Sequence, residues 1–300
     1  MTTVDAVVAS SERPVLAEGP VWDAAAGQVI WIDVERGSVF RGRLDGDTIE
    51  IVSRSDFDGR VGVALAGADG SMLVAQEKQL IVVAADGHRS HGPLLIPGHV
   101  ASRANDGACD SAGRVVVGTF ADDDRPRAER LIRVEDDGSL TTLDDDLTLS
   151  NGLAWSPDGS VFYSTDTFAG VIWARAYDAT SGAVGQRRVH LRISDGYPDG
   201  ICVDARGYLW VAIWEGGEVR SYSPSGEPAD VVRVAAPHVS SVAFVGDQLD
   251  RLLVTTASRD LDEDGLLQYP DAGKLFLADV GVSGTPTHPW SASWTPRDLA

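Results

Sequence analysis

The stretch Pro198-Asp-Gly-Ile-Cys-Val-Asp-Ala-Arg-Gly-Tyr-Leu-Trp-Val-Ala-Ile-Trp-Glu-Gly-Gly217 reads as two β-strands joined by a turn. Ile201 and Val203 alternate into Asp204-Ala-Arg-Gly207, whose residues tolerate unusual backbone angles. The second strand, Tyr208 to Trp214, is aromatic and β-branched and stops at Glu215-Gly-Gly217. The unit recurs. A glycine, once an aspartate, precedes an apolar strand at Gly27 (QVIW), Gly70 (SMLV), Gly113 (RVVV), Gly159 (SVFY), Gly207 (YLWV) and Asp250 (RLLV). These positions are spaced 43, 43, 46, 48 and 43 residues apart, so six copies of one unit fill the chain.

Each copy carries a strand ahead of the glycine, such as Gly152-Leu-Ala-Trp155, and a third after the second, such as Gly170-Val-Ile-Trp173 or Gly273-Lys-Leu-Phe276. A weaker fourth strand follows in most, for example Thr48-Ile-Glu-Ile51. No long segment has helical periodicity. Four antiparallel strands in about 40–50 residues, repeated, is the pattern of propeller blades, because one blade cannot bury both of its faces alone. The expectation is an all-β, six-bladed β-propeller around a central channel, a single domain over residues 1–300. The segment Val4 to Leu16 has strand character and precedes the first repeat. It is expected to complete the last blade and close the ring, removing its open sheet edge. The connections Thr119 to Glu129 and Ala257 to Gly273 are long, acidic and proline-containing, and read as surface loops.

Composition narrows the function. With 25 basic against 45 acidic residues, a net charge of −20 makes nucleic acid and anionic membranes poor partners. Met1-Thr-Thr-Val-Asp-Ala-Val-Val-Ala-Ser10 lacks a basic stretch followed by a long apolar run, and no segment reaches the length of a membrane span. Cys109 and Cys202 fall on first strands and read as buried free thiols, which points to a cytoplasmic location. The spacing is silent on assembly beyond a monomer or weak homodimer. The six histidines share no phase across repeats and read as surface or internally satisfied residues. No nucleophile elbow, P-loop or dinucleotide fingerprint in a βαβ context occurs.

A constellation does share phase. Asn105, Asn151 and Asp199 stand eight residues before their turn glycines and Glu18 nine before Gly27, while the second repeat has Gly62 there and the last has serines. In a propeller the first strand of each blade is innermost, so Glu18, Asn105, Asn151 and Asp199 are expected to meet in the channel. Carboxylates and carboxamides alone, with no His or Cys, favour one hard divalent ion. Ca²⁺ is the first choice, with Mg²⁺, Mn²⁺ and Zn²⁺ compatible. The competing account is turn chemistry, since Asp106, Asn151 and Asp199 each precede glycine. Glu18, where no turn demands it, argues for the ion.

Glu18-Gly-Pro-Val-Trp22, Arg103-Ala-Asn-Asp-Gly107, Ser150-Asn-Gly-Leu-Ala-Trp155 and Pro198-Asp-Gly200, in order along essentially the whole chain, resemble the SMP-30/gluconolactonase family, which includes regucalcin. The resemblance implies a six-bladed propeller with one catalytic divalent metal that hydrolyses a sugar lactone. It implies Glu18, Asn151 and Asp199 as metal ligands and Arg103 and Asn105 as the residues that orient substrate; Asp199, on an innermost strand beside the metal, is the expected general base. Where the family has a glutamate that helps hold sugar hydroxyls, this chain has Asp123, a shorter carboxylate. Two alternatives share the scaffold: a metal-dependent phosphotriesterase or esterase, for which a more apolar mouth is expected, and a non-catalytic Ca²⁺-binding propeller.

Overall fold

The first QVIW motif shows how this sequence builds a ring. In the strand Gln28–Asp33, Val29 and Trp31 point to one face while Ile30 and Ile32 point to the other, and all four are buried. Val29 and Trp31 pack with Val245, Leu253 and Leu277 of the last repeat. Ile30 and Ile32 pack with Val61, Val74 and Ile81 of the second repeat. A strand with protein on both faces needs a nearly continuous apolar run. The second strand of every repeat has one for that reason.

The computed structural model describes residues 1–121, 123, 127–291, 294, 297 and 298. Within them are six antiparallel sheets, one per repeat, arranged as a six-bladed β-propeller. The innermost strands are Ala17–Asp23, Val61–Ala66, Ser102–Cys109, Ser150–Trp155, Tyr197–Val203 and Val239–Val245, and they neighbour one another around the ring. Six apolar clusters fill the six walls between blades. Trp31 stacks on Phe40 and Trp155 on Phe162, while Trp210 is fully buried against Phe244, so these tryptophans serve blade packing. Among the described residues no helix is long and apolar enough to cross a membrane.

Both chain ends depart from the simplest expectation. Val7–Val8 pairs antiparallel with Phe276 and Leu277 as the outer strand of blade six, but Thr3–Asp5 runs on to pair in parallel with Val231–Arg233 of blade five. The N-terminal segment therefore stitches two blades rather than lying wholly on one. In blade six the third strand is Phe276–Ala278, later than the expected Gly273–Phe276. Backbone groups of the earlier residues are taken up elsewhere: Ala9 N–H donates to the Leu275 carbonyl and Leu275 N–H to Ser10 Oγ. At the other end, Trp290 packs against the second blade beside Gly67 and stacks on Trp294, and Arg297–Asp298 adds a further strand to Ser90 and His91. The long connection after Thr256 holds a short helix, Glu263–Gln268, which strand-like patterning did not foretell. Its N-cap is Asp262, whose carboxylate accepts from Gly265 N–H at 2.8 Å.

Candidate active site

Every inner strand breaks register at the same height. The irregularities fall between Glu18 and Val21, Val61 and Val63, Ala104 and Gly107, Asn151 and Leu153, Pro198 and Ile201, and Val239 and Ser241. A bulge inserts a residue, bends the strand and re-aims the side chains beside it. Here six bulges in phase turn one ring of residues into the channel. Glycines accompany them because neighbouring inner strands come too close for a side chain: a Cβ on Gly62 would lie 2.3 Å from the Ala104 carbonyl oxygen, and one on Gly152 2.5 Å from that of Asp199. Asn151-Gly and Asp199-Gly are thus strand bulges, not turns.

Glu18, Arg103, Asn105, Asn151 and Asp199 line one cavity of about 260 Å³ at the mouth of the channel. Glu18 is half-buried, and Arg103, Asn151 and Asp199 are buried. Asp123 is exposed on the connection beyond Ala121 and is not among the described residues that line this cavity. Residues 122 and 124–126 of that connection lie outside the described residues.

The set is tied together across blades. Arg103 donates to Asn105 Oδ1 at 3.0 Å and to its neighbour's Ala104 carbonyl at 2.9 Å, and Asn105 Nδ2 donates to the Ser150 carbonyl at 3.1 Å. Asn151 Nδ2 donates to Thr167 Oγ1 at 3.2 Å, and that hydroxyl donates to the Pro198 carbonyl at 2.9 Å. These bonds engage the Asn105 amide at both ends but spend only the N–H side of Asn151, whose oxygen is left over. Among the described residues, Asn151 Oδ1 and Asp199 Oδ1 are buried without a hydrogen-bond partner.

Electrostatics shows the same deficit of positive charge. Burial, then the nearby Asp106 carboxylate, push Glu18 from its ordinary 4.5 up to about 8, against the pull of Gly19 N–H and Arg103. Burial, then Glu18 and Asp106, raise Asp199 well above the carboxylate range. Asp106 itself is pushed up to about 6 by burial. All three carboxyls favour the neutral form, Asp106 through burial alone and Glu18 and Asp199 also through neighbouring carboxylates. Asp106 was missed as a member of this set, since Asp106-Gly reads as turn chemistry; the bulge after Ala104 admits it. It lines a second cavity of about 560 Å³ along the same inner strands, toward the opposite end of the channel. Among the described residues no three His, Cys, Asp or Glu side chains form a metal-binding group by themselves. The expected set is of another kind: two carboxylates plus carboxamide oxygen.

Around this floor the mouth carries two unlike groups of side chains. Phe120, Phe168 and Tyr197 line it from blades three, four and five. Glu215, Arg259 and Asp260 line it from blades five and six, Glu215 and Asp260 in the left-handed region at φ 65° and 64°. Arg259 pairs with Glu35 at 2.7 Å and with Asp260 at 3.5 Å. Trp214 also lines the mouth, stacked on His238 with centroids 4.4 Å apart. His238 is therefore not a surface residue. It is buried and donates through Nδ1–H to the Arg259 carbonyl at 3.0 Å, and burial lowers its pKa. Its role as a support for Trp214 had no signal in repeat phase.

Comparison with known proteins is consistent along the chain's length. The family model of the SMP-30/Gluconolactonase/LRE-like region matches residues 16–258. Pentonolactonase XacC of Haloferax volcanii is 36% identical over 290 residues, covering 95% of this chain and 97% of that protein. Regucalcin of Gallus gallus is 29% identical over 309 residues, covering 97% of this chain and all of that protein (100%). The crystal structure of regucalcin from Agrobacterium tumefaciens, described as a calcium-binding protein, superposes with a TM-score of 0.91 at 25% identity, covering 97% of this chain and 99% of that one.

Proposed function

The chain belongs to the SMP-30/gluconolactonase/LRE-like family, and from that premise we propose that it is a divalent-metal-dependent lactonase that hydrolyses a sugar lactone to its aldonic acid. The observation that carries this reading is the meeting of Glu18, Asn151 and Asp199 with Arg103 and Asn105 in one cavity. The Haloferax relative's name, a pentonolactonase, supports it.

The residues fit a hard divalent ion, Ca²⁺ first, with Zn²⁺, Mn²⁺ and Mg²⁺ as alternatives. The donors are all oxygen, two of them are buried and unsatisfied, and burial with neighbouring carboxylates raises the pKa of Glu18 and of Asp199. Glu18, Asn151 and Asp199 would hold it. Bound there, the ion supplies Lewis-acid polarisation of an ester carbonyl and positive charge for the developing oxyanion.

The chain's own groups do the rest. Arg103, fixed by Asn105 and by the face of Phe120 at 5.3 Å, orients the lactone ring. Asn105 holds Arg103 and presents its amide beside it. Asp199, ionised once a cation neutralises its surroundings, takes a proton from the attacking water as that oxygen bonds to the carbonyl carbon. The ring C–O bond then breaks, and the proton held by Asp199 passes to the departing oxygen, which becomes the hydroxyl of the acid. Asp123, exposed on the connection beyond Ala121 and outside the described cavity lining, is proposed for hydroxyls of a substrate that extends past that lining.

The test is acid release from aldonolactones after chelation and after adding back Ca²⁺, Mg²⁺, Mn²⁺ or Zn²⁺ singly. Metal-dependent hydrolysis is expected, and chelation without effect on rate would refute the assignment. The aromatic residues at the mouth favour one second reading, hydrolysis of phosphotriesters or other esters by the same centre. A phosphotriester in the same panel separates the two. Tight Ca²⁺ binding without turnover of either substrate would leave a binding protein.

A further inference from the structure

We propose that Phe120, Phe168 and Tyr197 form a specificity wall that receives an apolar group on the substrate. On this inference, which rests on the lactonase reading, the preferred lactone ends in a methyl or other apolar carbon where a common sugar lactone ends in hydroxymethyl.

The wall is continuous. Phe120 and Phe168 have ring centroids 6.1 Å apart at 64°, and Phe168 and Tyr197 6.1 Å apart at 90°, an edge-to-face series across three blades. All three line the cavity that holds Glu18, Asn151 and Asp199. Phe168 is 58% exposed and Tyr197 39%, although both stand beside a charged floor. Large apolar side chains held in the open at the mouth of a pocket are a feature of ligand sites.

The wall is also held in place. Phe168 follows Thr167 in a turn closed by Gly170 N–H donating to the Thr167 carbonyl at 3.0 Å. The Thr167 hydroxyl is the link between Asn151 and the Pro198 carbonyl, one residue from Tyr197 and from Asp199. The rings are thereby set relative to the hydrolytic floor by the same bonds that set Asn151. A rigid wall selects; a mobile one adapts.

The chemistry of the wall decides the substituent. The polar groups at the wall are the Tyr197 hydroxyl and, over the face of Phe120, the Arg103 guanidinium. Against the Phe168 ring and the carbon face of Tyr197 a hydroxymethyl gives up water for carbon, whereas a methyl gives up nothing. The charged group at the mouth, Glu215, Arg259 and Asp260, is where ring hydroxyls find partners. The expected ligand is therefore two-faced: hydroxylated on the ring and apolar at its end.

A matched pair tests this, L-rhamnono-γ-lactone and L-mannono-γ-lactone, which differ only in a terminal methyl against hydroxymethyl. The metal-loaded protein is expected to favour the methyl lactone by about tenfold in kcat/KM. In Phe168→Ser and, separately, Tyr197→Ser the ratio should fall toward one; both side chains are exposed enough for the fold to persist, which thermal melts verify. Binding of the two intact lactones to Asp199→Asn, followed by calorimetry, should show the same order of Kd. Equal kcat/KM for the pair in the parent protein, or a ratio unchanged in both variants, overturns the wall and leaves the lactonase standing. No turnover of any lactone overturns both.

Discussion

Glu18 concentrates the tension of this site in one residue. Its carboxyl is pushed from 4.5 up to about 8 in the metal-free protein, so folding favours its protonated form. A carboxyl whose folded pKa is raised contributes stability that is fully present below the unfolded value and is lost as pH rises through the folded one. The chelated protein should therefore lose melting temperature between about pH 4.5 and pH 8, and Glu18→Gln should flatten that slope. Thermal melts of both proteins in a chelating buffer check this, and parallel slopes would contradict it. The same protons must leave when a cation enters, so metal affinity should weaken as pH falls below about 8. At this scale the sequence was partly legible. Glu18, Asn105, Asn151 and Asp199 share a phase because equivalent blade positions share a height. Asp106 does not stand out, because an aspartate before glycine has a local explanation. His238 does not either, because its partner Trp214 lies on another blade.

The inner strand, with its bulge, is the element that makes the site. The alternation of Val29, Ile30, Trp31 and Ile32 made the blades legible, since a two-faced apolar strand needs neighbours on both sides. The bulges were not legible, because an inserted residue changes hydrogen-bond register without changing composition. Nor was the aromatic wall, whose members come from a second strand, a turn and a first strand in three blades. Gly152 tests the element. A Cβ there would lie 2.5 Å from the Asp199 carbonyl oxygen and 2.7 Å from Ile201 N, backbone atoms with no room to retreat. Gly152→Ala should cost about 1–3 kcal/mol of stability by overpacking. It should also weaken Ca²⁺ binding, because it separates Asn151 from Asp199. Urea unfolding and a Ca²⁺ titration on the same variant measure both, and full stability with unchanged affinity would show that the close approach is dispensable.

On the scale of the whole ring, six repeats bring residues far apart in sequence to one axis, and both chain ends lock onto blades they do not follow in sequence. Val7–Val8 closes blade six, Thr3–Asp5 extends blade five, and Arg297–Asp298 extends blade two. The need for closure was legible from the count of repeats and the strand character ahead of the first. The split of the N-terminal segment between blades was not, because edge pairing depends on which edge is open nearby, not on the segment's own pattern. What the ring accomplishes is the placing of opposed charges and unsatisfied oxygens in the lining of one cavity. The most direct test of the account is therefore to measure Ca²⁺ binding by calorimetry and lactone hydrolysis by acid release on the same preparations of the parent protein and Asp199→Asn. The account predicts that parent activity rises with metal occupancy, half-saturating at the calorimetric Kd, and that Asp199→Asn retains weakened binding while losing about a hundredfold or more in rate. Hydrolysis that persists after chelation, or an Asp199→Asn protein as active as its parent, would contradict it.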